Sequence, residues 1–347
     1  MQGTLAGISR KYIPILPLAA LLAILMVRSE CNDCRVFKTG AVLVGHGMYD
    51  PAAQAALQPG EPFLPFFRAP FYGLLLEPLL LFDFHIAWRV LNAAGALLFF
   101  GLSQHLTGGR WTPLWALACP LFWVNFAIGQ DAAIMSAIIV GSIVLWRSGR
   151  GFSAGALLAL TLQKPTLFLL LPLAVWKGGR RMVAGYLVGA AVLAGISFAV
   201  AGRGAVQDYF RLLQAYRQSG PVMMPTIRGL FEYAGAGSAW PWATVVVAVA
   251  LGALVCRMPF LSALPLATAC SLFISPGSFQ HDLALLIVPV CLAPPRLAML
   301  RALPAVQILL VMLLWPPTAA FFNAILVLVF CIWLSASAQQ TIVASNT

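Results

Sequence analysis

Charged side chains are scarce in this sequence of 347 residues. Only 9% of the residues are Asp, Glu, Lys or Arg, whereas 61% are hydrophobic, and the mean hydropathy is +0.91. A soluble globular domain typically carries about 25% charged residues, and this chain has too few polar groups to cover its surface. The composition therefore excludes a soluble globular protein and indicates a membrane protein.

Long polar stretches are missing as well, so no soluble domain is predicted. Apolar runs of roughly 15 to 20 residues recur along the chain, as expected of helices that cross a hydrocarbon core about 30 Å thick. We predict an all-α, multi-pass membrane protein whose residues 1–347 form a single transmembrane domain. The first apolar run, residues 13–27, follows Arg10 and Lys11. No small-residue cleavage site follows that run, so it is predicted to be retained as the first helix.

Acidic residues are few, and their positions agree with one orientation. Basic residues between the apolar runs predict about 12 crossings with both termini in the cytoplasm, because short cytoplasmic loops are rich in Lys and Arg. All ten Asp and Glu residues then fall on the outer side. The net charge of +11 is explained by this orientation, so nucleic-acid binding is not predicted. We expect a plasma (inner) membrane protein whose chemistry takes place on the outer, periplasmic face.

Two long outer loops, residues 28–85 and 203–237, are predicted to carry the functional site. Residues 71–82 form a short apolar run that contains Glu77 and Pro78, and we expect a re-entrant or juxtamembrane helix there. Loop 203–237 mixes arginine with aromatic residues, a composition typical of the depth of the lipid headgroups.

Of the seven cysteines, only Cys31 and Cys34 lie in a predicted loop. Their C-x-x-C spacing fits a local disulfide, a redox pair or half of a zinc site, but the sequence has no second pair and no thioredoxin-like context. No compact cluster of His and carboxylate residues stands out, so no metal is predicted. Asp33, Asp131 and Asp282 could hold Mg²⁺ or Mn²⁺ only if their loops meet.

Polar residues on four separate outer connections are candidates for one site. Lys164 is the most unusual of them because it lies between two apolar runs, and a lysine at mid-membrane costs roughly 2.5 to 3.5 kcal/mol. A hairpin of two short helices would place it at an outer tip instead. The convergence predicted on the outer face involves Asp33, Gln130 with Asp131, Lys164, and His281 with Asp282.

Five short motifs follow one another along most of the chain. They are Asp33 followed by G-x-x-x-Y at 45–49, FFRAPFYGLLLEPLL at 66–80, N-x-x-x-G-Q at 125–130, G…K-P at 155–165 and S-P-x-x-x-x-x-D-L at 275–283. In this order they resemble the integral-membrane glycosyltransferases of the GT-C type. The resemblance is greatest to glycosyltransferase family 87, the polyprenyl-phosphate-mannose-dependent mannosyltransferase-like proteins. The chain departs from that pattern at 68–71, where Arg-Ala-Pro-Phe replaces the usual Tyr-Pro-Pro-Phe.

The resemblance implies that Asp33 is the catalytic base, because GT-C enzymes carry their base just after the first helix. Inversion needs one base that takes the proton of the acceptor hydroxyl as it attacks the anomeric carbon. A retaining double displacement would need a second carboxylate as nucleophile, by analogy with glycosidases. The structural alternative is an ordinary loop aspartate balanced by Arg35.

The resemblance also implies ligands for the two substrates. The leaving group is a phosphate, so cationic donors are expected to hold it; the candidates are Lys164, His281 and Arg68. The candidates for contact with the sugar or the acceptor are Gln130, Asp131, Asp282 and Tyr49.

Each of these residues also has an ordinary structural alternative. Lys164 could simply extend its ammonium to water, and His281 could hydrogen-bond its neighbours. Gln130, Asp131 and Asp282 could cap helices.

The function implied is an inverting, metal-independent glycosyltransferase. It would move a sugar, mannose in the first place, from a polyprenyl-phosphate donor to a lipid or glycan acceptor, in contact with membrane lipids and without a cofactor. The alternatives are a non-catalytic lipid-binding or assembly subunit and a transporter of the same fold. A transporter would place ionisable groups in mid-helix around a central cavity, and the predicted crossings contain almost none.

Overall fold

The structure is a computed structural model that describes residues 15–28, 31–60, 63–108, 119–202, 204–215, 220–292 and 318–332, together with positions 306 and 314. Every regular element in these ranges is helical, as the composition predicts. The α-helices, in chain order, are α1 Ile15–Arg28, α2 Cys34–Val42, α3 Pro51–Ala56, α4 Pro70–Leu76, α5 Phe84–Thr107, α6 Pro120–Ile128, α7 Ala132–Arg147, α8 Gly151–Ala159, α9 Leu171–Lys177, α10 Arg180–Ala201, α11 Ala205–Ala215, α12 Ile227–Tyr233, α13 Trp240–Arg257, α14 Phe260–Ile274, α15 Ile287–Leu292 and α16 Thr318–Ile332.

Three helical segments in the described ranges are long and apolar enough to cross a membrane. They are α5, α10 and Gly237–Arg257, which joins a short 3-10 turn to α13. Shorter apolar helices accompany them, including α7, α14 and α16. The count of about 12 crossings stays a prediction. Arg10, Lys11 and the C-terminal tail lie outside the described residues, as does the crossing predicted at 302–315 apart from positions 306 and 314.

The short apolar run predicted at 71–82 folds as an α-helix followed directly by a 3-10 helix. Pro70 begins α4, where proline costs nothing because the first N–H groups of a helix have no internal partner. A 3-10 helix, Glu77–Leu81, follows directly. Asp83 then starts α5, and its side chain accepts a hydrogen bond from the backbone N–H of Ile86 at 2.9 Å. This element is as short as predicted, and its position in the membrane stays a prediction.

Two apolar clusters hold the helices together. The larger one contains buried residues of α1, α5 to α10 and α12 to α16. The smaller one lies under residues 31–49, the first polar segment. There the ring of Phe37 stacks on that of Trp88 with centroids 4.3 Å apart. Phe66 and Trp88 are fully buried there. The smaller cluster gives the polar connections above it a rigid base.

Helices α8 and α10 pack through small residues. A Cβ atom added at Gly155 would collide with the backbone of Met182, and one added at Gly185 would collide with the backbone of Phe152. Only glycine permits this close approach. The glycine of the G…K-P motif therefore has a packing role, and it holds the hairpin that carries Lys164 against α10.

Three hydrogen bonds between distant segments bring the polar connections together. The N–H of Asp33 donates to the carbonyl of Ile128 at 2.8 Å, and the N–H of Ala69 donates to the carbonyl of Gln163 at 3.0 Å. The side-chain Nδ2 of Asn125 donates to the carbonyl of His281 at 3.0 Å. Segments separated by up to 156 positions in the sequence thus meet at one end of the helices.

Candidate active site

A chain of four polar side chains begins at Asp33. Its Oδ2 accepts a hydrogen bond from Nε2 of Gln130 at 2.7 Å, and Oε1 of Gln130 accepts one from Nη2 of Arg68 at 3.2 Å. The same Nη2 forms an ion pair with Oδ1 of Asp131 at 2.8 Å. Four residues predicted from the sequence to share a site are therefore connected.

The turn that presents Gln130 depends on a glycine. Gly129 ends α6 with φ at +88°, a left-handed conformation that L side chains rarely adopt. A Cβ added there would lie 2.5 Å from the Sγ of Cys31. Its carbonyl accepts a hydrogen bond from Nε1 of Trp88 at 2.7 Å. The N-x-x-x-G-Q motif thus builds a fixed turn pressed against the first polar segment.

Asp33 lies in the loop closed by Cys31 and Cys34, which the structure joins in a disulfide. Of the three interpretations that the C-x-x-C spacing left open, this is the local disulfide. Asp33 precedes α2 but makes no side-chain capping bond with it. Its side chain is half-buried, and its Oδ1 receives no hydrogen bond from the described residues. Within the described residues, Gln130 therefore holds one carboxylate oxygen and the other is unengaged.

Arg68 is fixed at its backbone and along its side chain. Its carbonyl accepts a hydrogen bond from the hydroxyl of Tyr49 at 2.7 Å. The guanidinium lies over the ring of Phe37, 5.5 Å from the centroid. Nη1 is buried and has no hydrogen-bond partner among the described residues. The guanidinium therefore keeps an unused donor beside its ion pair with Asp131.

A second polar group combines Lys164, Asp282 and His281. Nζ of Lys164 forms an ion pair with Oδ1 of Asp282 at 2.6 Å, and Nε2 of His281 lies 3.7 Å from the same oxygen. Oδ2 of Asp282 accepts a hydrogen bond from the N–H of Phe279 at 2.9 Å. The lysine and aspartate side chains are 17% and 5% exposed, so this pair is largely shielded from solvent.

Burial and mutual charge set the protonation of this second group, which lies outside the three candidate spans. Burial lowers the pKa of Lys164 below its ordinary value, against the attraction of Asp282. Burial also lowers the pKa of His281, so the imidazole is neutral at pH 7. For Asp282 burial acts in the opposite direction, but Lys164 and His281 hold the pKa of its carboxyl below the usual range. Burial therefore favours the neutral imidazole at His281, beside the ion pair of Lys164 and Asp282.

The two polar groups are close enough to interact electrostatically. Arg68 and Asp131 both act on the charge of Lys164. Asp33 and Arg68 both act on that of His281. The predicted convergence of four connections is therefore present in the structure, whereas the role of each residue stays a prediction.

Tyr49 joins the two segments predicted to carry the site. Its hydroxyl donates to the carbonyl of Arg68, and its ring packs edge-on against Tyr209 of α11, with centroids 5.1 Å apart. Burial raises the pKa of the Tyr49 hydroxyl, so this hydroxyl stays protonated as a donor. In this structure Tyr49 positions Arg68, and its contact with sugar or acceptor stays a prediction.

The structural alternatives can be compared with the observed contacts. Asp131 occupies the position before α7 but makes no capping bond, because Oδ1 of Asn125 accepts the N–H of Ala132 at 3.2 Å instead. Asp282 is the third residue of the 3-10 helix Gln280–Leu286, where its side chain accepts the backbone N–H of the N-cap residue Phe279 and also pairs with Lys164. The ammonium of Lys164 is paired with Asp282, and its side chain is only 17% exposed, so simple extension to the surface does not describe its position.

No group of three or more His, Cys, Asp or Glu side chains is arranged to hold a metal ion within the described ranges. The three aspartates considered for Mg²⁺ or Mn²⁺ each have a different partner: Asp33 has Gln130, Asp131 has Arg68, and Asp282 has Lys164. These contacts give no support to a shared metal site.

Sequence reasoning gave no role to Asn125, although it is part of the N-x-x-x-G-Q motif. Its amide holds both the carbonyl of His281 and the N–H of Ala132, so it links the two polar groups. Trp88 and Gln163 were also missed. The indole N–H of Trp88 donates to the backbone carbonyl of Gly129, and the backbone carbonyl of Gln163 accepts a hydrogen bond from the N–H of Ala69. A polar asparagine within an apolar run was the sequence signal for its role, and the structure shows that it is buried.

The arrangement places a carboxylate with one unengaged oxygen near two cations and a neutral imidazole. Such a set can accept a proton from a hydroxyl on one side and stabilise a developing phosphate anion on the other. It lacks a second unpaired carboxylate among the described residues, since Asp131 and Asp282 are both bound to cations. This set suits a single displacement better than a double one.

Comparison with known proteins supports the same class. The family model described as glycosyltransferase family 87 matches residues 66–289. That range contains Arg68, Gln130, Lys164 and the 281–282 pair, whereas Asp33 and Tyr49 precede it. Neither the curated proteins nor the solved structures give a match to this chain. Since the family model covers more than half of the sequence, the chain belongs to glycosyltransferase family 87.

Proposed function

We propose that this glycosyltransferase is an inverting enzyme that takes mannose from a polyprenyl-phosphate donor. The acceptor is a lipid or glycan hydroxyl, and transfer takes place on the outer face of the plasma membrane without a metal. The observation that carries the proposal is the half-buried carboxylate of Asp33 in the same polar region as the buried Arg68 and the partly buried Lys164.

Asp33 acts as the general base. The acceptor oxygen attacks the anomeric carbon while the bond from that carbon to the phosphate oxygen breaks. The acceptor proton passes to Oδ1 of Asp33, and the polyprenyl phosphate leaves with the bonding electron pair. Positioned base catalysis of this kind contributes about 10² to 10⁴ in rate.

Arg68 and Lys164 stabilise the phosphate as its charge develops. Charge-assisted hydrogen bonds to phosphate oxygens are about twice as strong as neutral ones. Arg68 has its unused Nη1 donor for this purpose, and Lys164 has further N–H donors besides the one given to Asp282. His281, neutral at pH 7, adds a hydrogen bond.

The lipid parts of the substrates fit the surroundings of the site. Tyr209 contacts Tyr49 from α11, and the neighbouring side chain of Phe210 is exposed. An exposed aromatic residue beside a polar site suits the boundary between headgroups and acyl chains. Both substrates enter from this side in the proposal.

The test is transfer of radiolabelled mannose from polyprenyl-phosphate-mannose to membrane lipid extract by purified protein. Asp33→Asn should lower kcat by about 10² to 10⁴, because the amide cannot accept the proton. Asp208→Asn is the matched control, since Asp208 lies on α11 in an exposed pair with Arg211.

Three other results would change the proposal. Equal transfer by wild type and Asp33→Asn would remove Asp33 as the base. Transfer from a different sugar donor, but not from the mannose donor, would correct the sugar. Specific binding of the donor without any transfer would favour the non-catalytic lipid-binding subunit.

A further inference from the structure

The side chain of Gln130 hydrogen-bonds to both Asp33 and Arg68. Nε2 lies 2.7 Å from Oδ2 of Asp33, and Oε1 lies 3.2 Å from Nη2 of Arg68. Both ends of the amide are therefore used within the protein. The role predicted from the sequence, contact with sugar or acceptor hydroxyls, would require one of these two bonds to be given up.

The direction of the amide is determined by Arg68. A guanidinium has only donors, so the end of Gln130 that faces it must be the carbonyl oxygen. The other end, which carries the two N–H donors, must then face Asp33. A carboxylate is an acceptor, so the amide satisfies both neighbours in one orientation only.

The backbone leaves Gln130 little freedom to turn away. Its N–H donates to the carbonyl of Asn125 at 2.9 Å, and the preceding Gly129 carbonyl is held by Trp88. The disulfide of Cys31 and Cys34 packs against the same turn. The amide is thus a fixed support for the Asp33 carboxylate.

We propose that Gln130 is a positioning residue that orients the catalytic base and connects it to the phosphate-binding Arg68. By holding Oδ2 it leaves Oδ1 of Asp33 as the oxygen that meets the acceptor hydroxyl. This inference rests on the proposed function, since it takes Asp33 as the base and Arg68 as a phosphate ligand.

Gln130→Glu is the most informative variant because it keeps size and shape. Arg68 would still attract one oxygen of the new carboxylate, so the other oxygen would face Oδ2 of Asp33. Two carboxylates in such contact cannot both ionise easily and share a proton. The charged or titratable groups around Asp33 include His281, which interacts with it electrostatically, Arg68, which reaches it through Gln130, and Arg35, which lies two positions further along the chain. We expect the acidic limb of the pH profile of kcat to move up by about one pH unit or more.

Gln130→Met separates positioning from sugar binding. It keeps the length of the side chain and removes both hydrogen bonds. A positioning role predicts that kcat falls about 10-fold or more, while KM for donor and acceptor stays within about twofold. Gln207→Glu is the control for added charge, because Gln207 is an exposed glutamine on α11.

Infrared spectroscopy of the purified protein supplies a readout that does not depend on transfer. The Asp33 carboxylate band is assigned by subtraction of Asp33→Asn, and its titration is compared between wild type and Gln130→Glu. A titration moved to higher pH supports the contact. An unchanged titration overturns it, even where the donor sugar of the proposed function turns out to be wrong.

The outcomes of the two proposals are distinguishable. If Asp33→Asn abolishes transfer but Gln130→Glu leaves the acidic limb of the pH profile of kcat unchanged, Asp33 is supported as the base and the positioning role of Gln130 is overturned. If Gln130→Met raises KM and leaves kcat unchanged, Gln130 binds substrate and the inference is overturned. If Asp33→Asn transfers normally, the proposed base and this inference both fail.

Discussion

The two buried ion pairs of the candidate site differ in the nature of their cation. Arg68 pairs with Asp131 at 2.8 Å, and Lys164 pairs with Asp282 at 2.6 Å. An arginine keeps its charge at every pH of interest and presents a planar set of donors, whereas a lysine is a compact charge that titrates when buried. One half of the site is therefore a fixed charge and the other half responds to pH.

The two pairs also differ in how they reach the base. Arg68 is connected to Asp33 by the amide of Gln130, which has only one satisfactory orientation. The second pair acts through space and through His281, whose pKa is lowered by burial. The Arg68 pair therefore acts on the base mainly through hydrogen-bond geometry, and the Lys164 pair acts mainly through charge. Substitutions that keep charge and alter shape should therefore damage the Arg68 half more than the Lys164 half.

The largest effect is expected when the Lys164 pair is broken on one side. Lys164→Met leaves Asp282 buried without its counter-charge, and removal of one partner of a buried pair costs about 3 to 5 kcal/mol. The melting temperature of the purified protein should fall clearly, and transfer should be lost. The double variant Lys164→Met with Asp282→Asn should regain most of the melting temperature but not the transfer. An unchanged melting temperature in the single variant would mean that the pair is not formed.

A smaller effect is expected from a change of shape in the other pair. Arg68→Lys keeps the charge but cannot donate to Gln130 and Asp131 in the same planar arrangement. Transfer measured as kcat/KM should fall about 10- to 100-fold, a loss of about 1.4 to 2.8 kcal/mol. Lys164→Arg, the equivalent exchange in the other half, should lose less than tenfold. Equal losses in the two variants would remove the distinction between the two halves.

The smallest effect concerns the decline of affinity for the donor at alkaline pH. Burial lowers the pKa of Lys164, so its cationic form is present below that lowered value and is lost as the pH rises through it. Affinity for the phosphate donor should decline over the same range, which lies below the ordinary pKa of 10.5. Lys164→Arg should move the decline to higher pH because guanidinium does not titrate there. Lys38→Arg is the control, because Lys38 is exposed. If donor affinity declined over the same pH range in Lys164→Arg as in wild type, another group would be responsible for the decline.

Part of the site was predictable because its residues are conspicuous in an apolar chain. A lysine between two apolar runs and an aspartate just after the first helix stand out, because a charged side chain costs free energy in or next to the membrane. The structure places both in the same region as Gln130 and His281. The resemblance to glycosyltransferase family 87 is confirmed over residues 66–289. The number of crossings was less predictable, since length and composition identify only three spans in the described ranges.

The pairing of these residues could not be predicted. Arg68 and Asp131 are 63 positions apart, and Lys164 and Asp282 are 118 apart. Nothing in composition or spacing says which cation faces which carboxylate. The structural role of Asn125 was missed for the same reason, because its two partners lie on different segments.

The sequence by itself determined that this is an all-α membrane protein of a glycosyltransferase family, since apolar run length and motif order are local properties of the chain. It also singled out the polar residues, because each is expensive in an apolar setting. Only the tertiary structure decided that two ion pairs form, that Gln130 joins Asp33 to Arg68, and that burial lowers the pKa of His281. These properties depend on distances between segments and on burial, which arise when the helices pack.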